Sequence, residues 1–557
     1  MKNIKYLFLT TVLLGFLSCD DDEYFGPEEP VQEPLEELTA GSADFSTYVS
    51  LGNSLTAGFT DGALFIAGQE NSFPNLLSQK FALVGGGTFT QPLTNDNIGG
   101  LLLAGNPILD AEGENQFAPR LVFGGAGPVP LQAIVPTATS STDIVANNPT
   151  GPFNNLGVPG AKSFHLLAPG YGNVGNLPLG RANPYAVRLT GSTPDASVVS
   201  LAVAQNPTFF SLWIGNNDVL GYALSGGDGT DPITPVDGPP GVGFNQTYGA
   251  LIATLTASGA QGVVANIPNV TSIPHFTTVP FNPLDPTDEN FGPQIPTLNG
   301  IFGQLNQVFA FLEGQGIPNA TDRQIVFSST EASAVVIRDE TLMDLSEQIA
   351  ATLSGSPTFP AFVQSFGLPV QAAPLVAGLL GNVYGQARQA TEDDLFVLPS
   401  SSVIGTVNSN SVTFLTSQGL PLELAGQFSV EGISLPLEDK WVLLPSEQAE
   451  ISAATSTFNA TIEAAAGQAG LAFVDANSIL TQVANGDLDS GDFTLTSALV
   501  QGGAFSLDGV HPTARGYALI ANEFMKAIDV TYGSNFEASG NLYDIGDYPT
   551  NYSPILP

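Results

Sequence analysis

An α/β domain with a largely parallel sheet is what the sequence predicts, on two observations. Short apolar runs with the look of buried strands recur along the chain, and helical patterns stand between them. The runs are YVSLG ending at Gly52, TFFSLWIG from Thr208, GVVANIP from Gly262 and GLAFVDA from Gly470. TYGALIATLTASGA precedes the third run and SEQAEISAATSTFNATIEAAAGQAG the fourth, so each helix feeds a strand as in a crossover unit. At the C-terminal end Ala514, Tyr517, Ala518, Ala521, Phe524, Met525 and Ile528 follow the i, i+3, i+4, i+7 rule. That spacing predicts a helix from Thr513 to Ile528 with one face on the sheet.

The bulk numbers set limits. A chain of 557 residues exceeds one ordinary domain, and 43% hydrophobic content is enough for a sizeable core. Charged residues make up only 12%, so uncharged polar side chains and glycine supply much of the wet surface, as in exported proteins. With 13 Lys and Arg against 52 Asp and Glu, the formal charge is −39. A field of that sign repels phosphate backbones, which excludes nucleic acid as an expected partner and favours neutral esters over strongly anionic substrates.

The N-terminus explains the single cysteine. Lys2 and Lys5 form a positive segment, YLFLTTVLLGFL is a short apolar one, and Ser18 stands before Cys19. Residues 1–18 therefore read as a signal peptide. The stretch FLSC resembles a bacterial lipobox, which implies diacylation of Cys19 and an exported protein anchored by lipid to the bacterial outer membrane. The following acidic, proline-rich segment, 19–44, cannot bury a core and is expected to remain an extended tether. The main domain is expected over 45–535. Within it, Gly, Pro, Ser and Thr-rich stretches at about 61–150 and 280–440 read as insertions, the second as a cap or subdomain roofing the cleft. Residues 536–557, polar and aromatic, read as a strap on the surface.

Candidate chemistry lies in four separated stretches. In YVSLGNSLTAGF, Gly52 allows a sharp turn, and Ser54 beyond it is placed either as a nucleophile at a strand-to-helix corner or as a helix cap. In FSLDGVHPTARGYALIANEF, Asp508 stands three residues before His511; in a loop that spacing aims a carboxylate at Nδ1 and leaves Nε2 free to take a proton. A helix-capping Asp beside a surface His would give the same letters. FFSLWIGNNDVLGYAL puts Asn217 at a strand's end, where an amide can donate to a developing oxyanion, and NNLGVPGAKSFHLL supplies Gly160 in a loop where a backbone N–H can do the same. Turn chemistry alone also accounts for both loops. The histidines His165, His275 and His511 lack the short spacing of a zinc site, and no metal site is expected. NGDLDSGD from Asn485 reads as a polar turn and not a calcium loop.

Together and in this order, the four stretches resemble the blocks of the SGNH, or GDSL, hydrolase family. Gly52, Asn53, Ser54 and Leu55 match its G-D-S-L, with Asn53 in place of the Asp; Gly160 matches the second-block glycine. Gly215, Asn217 and Asp218 match G-x-N-D, and Asp508, His511 and Pro512 match D-x-x-H-P. The resemblance implies a flavodoxin-like three-layer α/β/α core and a serine esterase or lipase that needs no cofactor. It also implies Ser54 as nucleophile, His511 as base, Asp508 as its orienting acid, and Ser54 N–H, Gly160 N–H and Asn217 Nδ2 as oxyanion donors. Lipid acyl esters and acylated glycans are both substrates within that family. Since Asn53 is not the family's proton carrier, its replacement is expected to change a local hydrogen bond and to spare the nucleophile. A lipoprotein that binds glycan or lipid on a lapsed core is the competing reading. The G-x-S-x-G elbow of α/β-hydrolases is absent, because Thr56 stands where its second glycine belongs.

Overall fold

A computed structural model describes residues 35–110 and 113–556; the expected signal peptide, Cys19 and residues 19–34 of the tether lie outside the described residues. Five strands form one parallel sheet: β1 (Tyr48–Gly52), β2 (Asn155–Gly157), β3 (Phe209–Trp213), β4 (Gln261–Ala265) and β5 (Ala472–Val474). Their spatial order is β2-β1-β3-β4-β5. β1 and β3 are buried along their whole length, which is why their sequences read as nearly unbroken apolar runs and not as alternating ones. The sequence of β2 reads as loop, because three residues, NLG, are too few to show a period.

The helices of the first half are α1 (Ser54–Ala57), α2 (Phe73–Phe81), α3 (Val198–Val203), α4 (Asn217–Leu224) and α5 (Phe244–Thr256). Next come α6 (Ile295–Gly314), α7 (Ser346–Gly355) and α8 (Ala373–Tyr384), and then α9 (Pro445–Ala469), α10 (Ala476–Asn485) and α11 (Ala514–Tyr532). Two groups of helices cover the sheet, α2 with α11 and α3 with α5 and α9. This arrangement is compatible with three layers. The Trp213 ring at the end of β3 lies 5.8 Å from Phe73 of α2 and 6.0 Å from Phe524 of α11, and seals the first group onto the sheet.

The stretch expected as a first insertion is partly core. Phe73, Leu76, Leu77 and Phe81 of α2 are buried in the main cluster, because the apolar spacing of that helix matches the face of α11. The second insertion has a separate core in which Phe302, Phe309, Ile337, Leu345, Phe359 and Tyr384 are buried. α6, α7 and α8 pack around it, with an antiparallel pair formed by Val336–Arg338 and Ala387–Gln389. Trp441 touches both cores where this subdomain rejoins the main one.

The ends of the main domain are tied together. Thr39 N–H donates to Asn535 Oδ1 at 2.8 Å and Ser42 N–H to the Tyr532 carbonyl at 2.8 Å. Residues 39–42 of the expected tether are thus docked beside the end of α11. The strap is held likewise: Tyr543 OH donates to the Leu76 carbonyl at 2.7 Å, and Arg120 donates to the Ser553 carbonyl at 2.6 Å. Among the described residues, no single helix is long and apolar enough to cross a membrane.

Candidate active site

The corner that carries Ser54 is built by exclusion. A Cβ on Gly52 would stand 2.2 Å from Thr56 Oγ1 and 2.3 Å from the Trp213 carbonyl oxygen, so no side chain fits where β1 passes into α1. Asn53 caps the short helix, its side-chain oxygen accepting the Leu55 N–H at 3.0 Å. Its Nδ2 donates to Asn216 Oδ1 at 3.1 Å, a bond that an aspartate could not make. Ser54 is 7% exposed, and neither its Oγ nor its N–H has a hydrogen-bond partner among the described residues.

His511 is oriented by Asp508 through a 2.8 Å contact from Nδ1 to Oδ2. The carboxylate is saturated with donors. Its Oδ1 accepts from Ser506 Oγ at 3.0 Å, Val510 N–H at 2.9 Å and His511 N–H at 2.8 Å, and Oδ2 also accepts from Gly62 N–H at 2.9 Å. Burial by itself would raise the Asp508 pKa; the His511 charge and these hydrogen bonds outweigh it and hold the carboxyl well below the usual range. The ring of Phe59 lies 4.7 Å from that of His511 and limits its swing. Nε2 of His511 makes no hydrogen bond to Ser54 Oγ in this structure, although both residues line one cavity.

Asn217 begins α4 directly after the β3 turn. Gly215 in that turn has φ +121°, and a Cβ on it would meet Ile267 at 2.6 Å, so the turn requires glycine. Asn217 Nδ2 donates one hydrogen to the Ala161 carbonyl at 2.9 Å. That bond fixes the amide and leaves its second N–H to donate elsewhere. Gly160 sits in the adjoining loop at φ +79°, and its N–H has no partner among the described residues. Asn183 Nδ2 holds the Pro159 carbonyl at 2.8 Å, while the buried Asp218 holds Ser163 through its N–H at 2.8 Å and its Oγ at 2.6 Å. Burial pushes the Asp218 pKa up to about 6, against the pull of the Ser163 hydrogen bonds.

Ser54, Asn217 and His511 thus converge on one cavity, which Asn53 and Asn216 also line. Gly160 is not among its lining residues. His275 stands outside it: its backbone N–H donates to the Gly509 carbonyl at 2.9 Å, its buried Nδ1 has no hydrogen-bond partner among the described residues, and burial lowers its pKa to about 4. His165 stacks on Tyr171 with ring centroids 4.4 Å apart, and burial lowers its pKa to about 4 as well.

A residue the motifs do not reveal is Asp61. Its backbone N–H donates to Ser506 Oγ at 3.0 Å and its Oδ1 accepts Leu507 N–H at 3.1 Å, so the turn after α1 grips the loop that carries His511. Burial pushes the Asp61 carboxyl up to about 7; the Leu507 N–H and Arg120 pull it down, and the Asp508 charge adds to the rise. An Asp-Gly pair is a turn signal, but what this turn clamps lies far along the chain. No family model, curated protein or solved structure matches the chain.

Proposed function

We propose that this protein is a serine ester hydrolase of the SGNH type, built on a flavodoxin-like three-layer α/β/α core. The observation that carries the reading is the convergence of Ser54, Asn217 and the Asp508–His511 pair on one cavity, from three stretches far apart in sequence. The sheet order supports it. In a β2-β1-β3-β4-β5 sheet the chain reverses its winding between β1 and β3, and ligands bind outside the carboxyl ends of the strands at that point. Ser54 follows β1 there and Asn217 follows β3.

The chemistry follows from the atoms. His511 Nε2 takes the Ser54 Oγ proton as Oγ attacks the ester carbonyl, and Asp508 stabilises the imidazolium that forms. The oxyanion accepts from the free N–H groups of Ser54 and Gly160 and from the second Asn217 N–H. His511 returns its proton to the departing alcohol. Water then attacks the acyl-serine by the same route and releases the acid, so no metal or organic cofactor enters any step.

A binder with lapsed chemistry remains a second reading, favoured by the missing Ser54–His511 hydrogen bond; such bonds commonly tighten only when substrate is present. Substitution separates the two. Ser54→Ala and His511→Ala are each expected to abolish hydrolysis of a p-nitrophenyl ester while circular dichroism and melting temperature stay those of the parent. Parental rates in Ser54→Ala would overturn the assignment.

A further inference from the structure

We infer that the cavity at Ser54 is an acyl-chain pocket, and that the preferred substrates are esters of medium-length apolar acids and not acetyl esters of glycans. The inference rests on the ester-hydrolase reading and goes beyond it to the substrate class.

The walls carry the argument. The cavity at Ser54 is walled by Ile273 in the loop after β4, Val474 at the end of β5, Leu480 and Val483 on α10, and Leu519 and Phe524 on α11. Ile479, Leu480 and Val483 follow helical spacing on α10. Gly516, Leu519, Ile520 and Glu523 do the same on α11, so both helices turn a continuous stripe toward the cavity. Among the lining residues, charged and hydrogen-bonding side chains are few: Asn53, Ser54, Asn216, Asn217 and His511 belong to the catalytic motifs, and Glu523 stands two turns along α11 from Gly516, its carboxylate 2.8 Å from Lys526 Nζ. The indole N–H of Trp213 is occupied by the Asn266 carbonyl at 3.0 Å and offers nothing to a ligand.

Size and polarity then select the acyl group. From Gly516 to Glu523 the cavity follows two turns of α11, about 10 Å, which matches an extended chain of roughly eight carbons. An acetyl group would leave most of that wall uncontacted. Sugar hydroxyls would meet no partner along it and would lose their hydrogen bonds to water. An alkyl chain gains at every methylene until it reaches the Glu523–Lys526 pair, where a longer chain would have to desolvate charge.

The test is a series of p-nitrophenyl acetate, butyrate, octanoate and palmitate, run beside labelling by a small methyl fluorophosphonate that does not enter the pocket. With about fourfold gained per buried methylene, the six methylenes that octanoate has beyond acetate should raise kcat/KM by on the order of 10³, with palmitate below octanoate. Leu480→Trp, which puts an indole where Leu480 lines the pocket, should lower the octanoate-to-acetate ratio tenfold or more while the small phosphonate still labels Ser54. Labelling of Ser54 with acetate hydrolysed as well as octanoate would overturn the pocket and leave the hydrolase reading intact. A folded parent protein that is not labelled would overturn that reading, and this inference with it. If Leu480→Trp does not fold, the chain-length series on the parent protein decides alone.

Discussion

Asn217 is the residue whose two hydrogens divide the labour of the proposed site: one holds the Ala161 carbonyl, and the other is free for the oxyanion. Asn217→Ala removes both. It is expected to lower kcat by about 10² to 10³ with little change in KM, the loss typical of a single oxyanion donor, and steady-state kinetics on a soluble ester would show it. A fall in KM affinity alone would mean that the amide serves ground-state binding. Asp61 gives a prediction in pH. Its carboxyl is raised to about 7 in the folded chain from 3.8, mainly by burial, so the folded state holds the proton more tightly than the unfolded one. Its contribution to stability is therefore fully present below pH 3.8 and is lost as pH rises through about 7. Asp61→Asn keeps an acceptor for the Leu507 N–H and removes the titration. Urea unfolding should find the variant gaining on the parent from about pH 4 to 7 and levelling beyond, by up to a few kcal/mol. A constant difference across that range would contradict the burial argument.

At the scale of elements, legibility followed length and period. The strands near Thr208, Gly262 and Gly470 and the helix from Thr513 were readable because burial on both faces, or a clean 3.6 period, leaves its mark on composition; they appear as β3, β4, β5 and α11. β2 was not readable, since two of its three residues are polar or glycine and its pairing partner β1 precedes it by about a hundred positions. α2 was assigned to an insertion because Gly and Pro-rich neighbours hide a nine-residue amphipathic helix that packs on α11. Ser54, Asn217, Asp508 and His511 stand out in the sequence because each sits in a short local motif, and the structure brings Ser54, Asn217 and His511 to one cavity. The clamp from Asp61 to Ser506 and Leu507 does not stand out, because neither side of a long-range hydrogen bond marks its own sequence. The apolar stripe of α11 is legible only as a core face, and α10 was not read as a helix; that both line a cavity is a property of how the elements meet.

For the whole molecule, the main core and the 280–440 subdomain have different relations to the site. No residue of 280–440 lines the cavity at Ser54, although Leu398 stands where a Cβ on Gly509 would meet it at 3.3 Å, beside the loop that carries His511. Leu398 of that subdomain thus neighbours the base loop, while the lining of the pocket comes from outside 280–440. The proposed anchoring at Cys19 belongs to this scale as well. Cys19→Ala is expected to leave the protein unlipidated and out of the membrane fraction, with esterase activity unchanged after purification; an undiminished membrane fraction would contradict a lipid tether. The central claim, that Ser54 is a nucleophile activated by His511, is tested most directly by a fluorophosphonate probe with the adduct located by mass spectrometry. The account predicts one adduct, on Ser54, that disappears in His511→Ala. A folded parent protein with no adduct, or with the adduct on another serine, would contradict it.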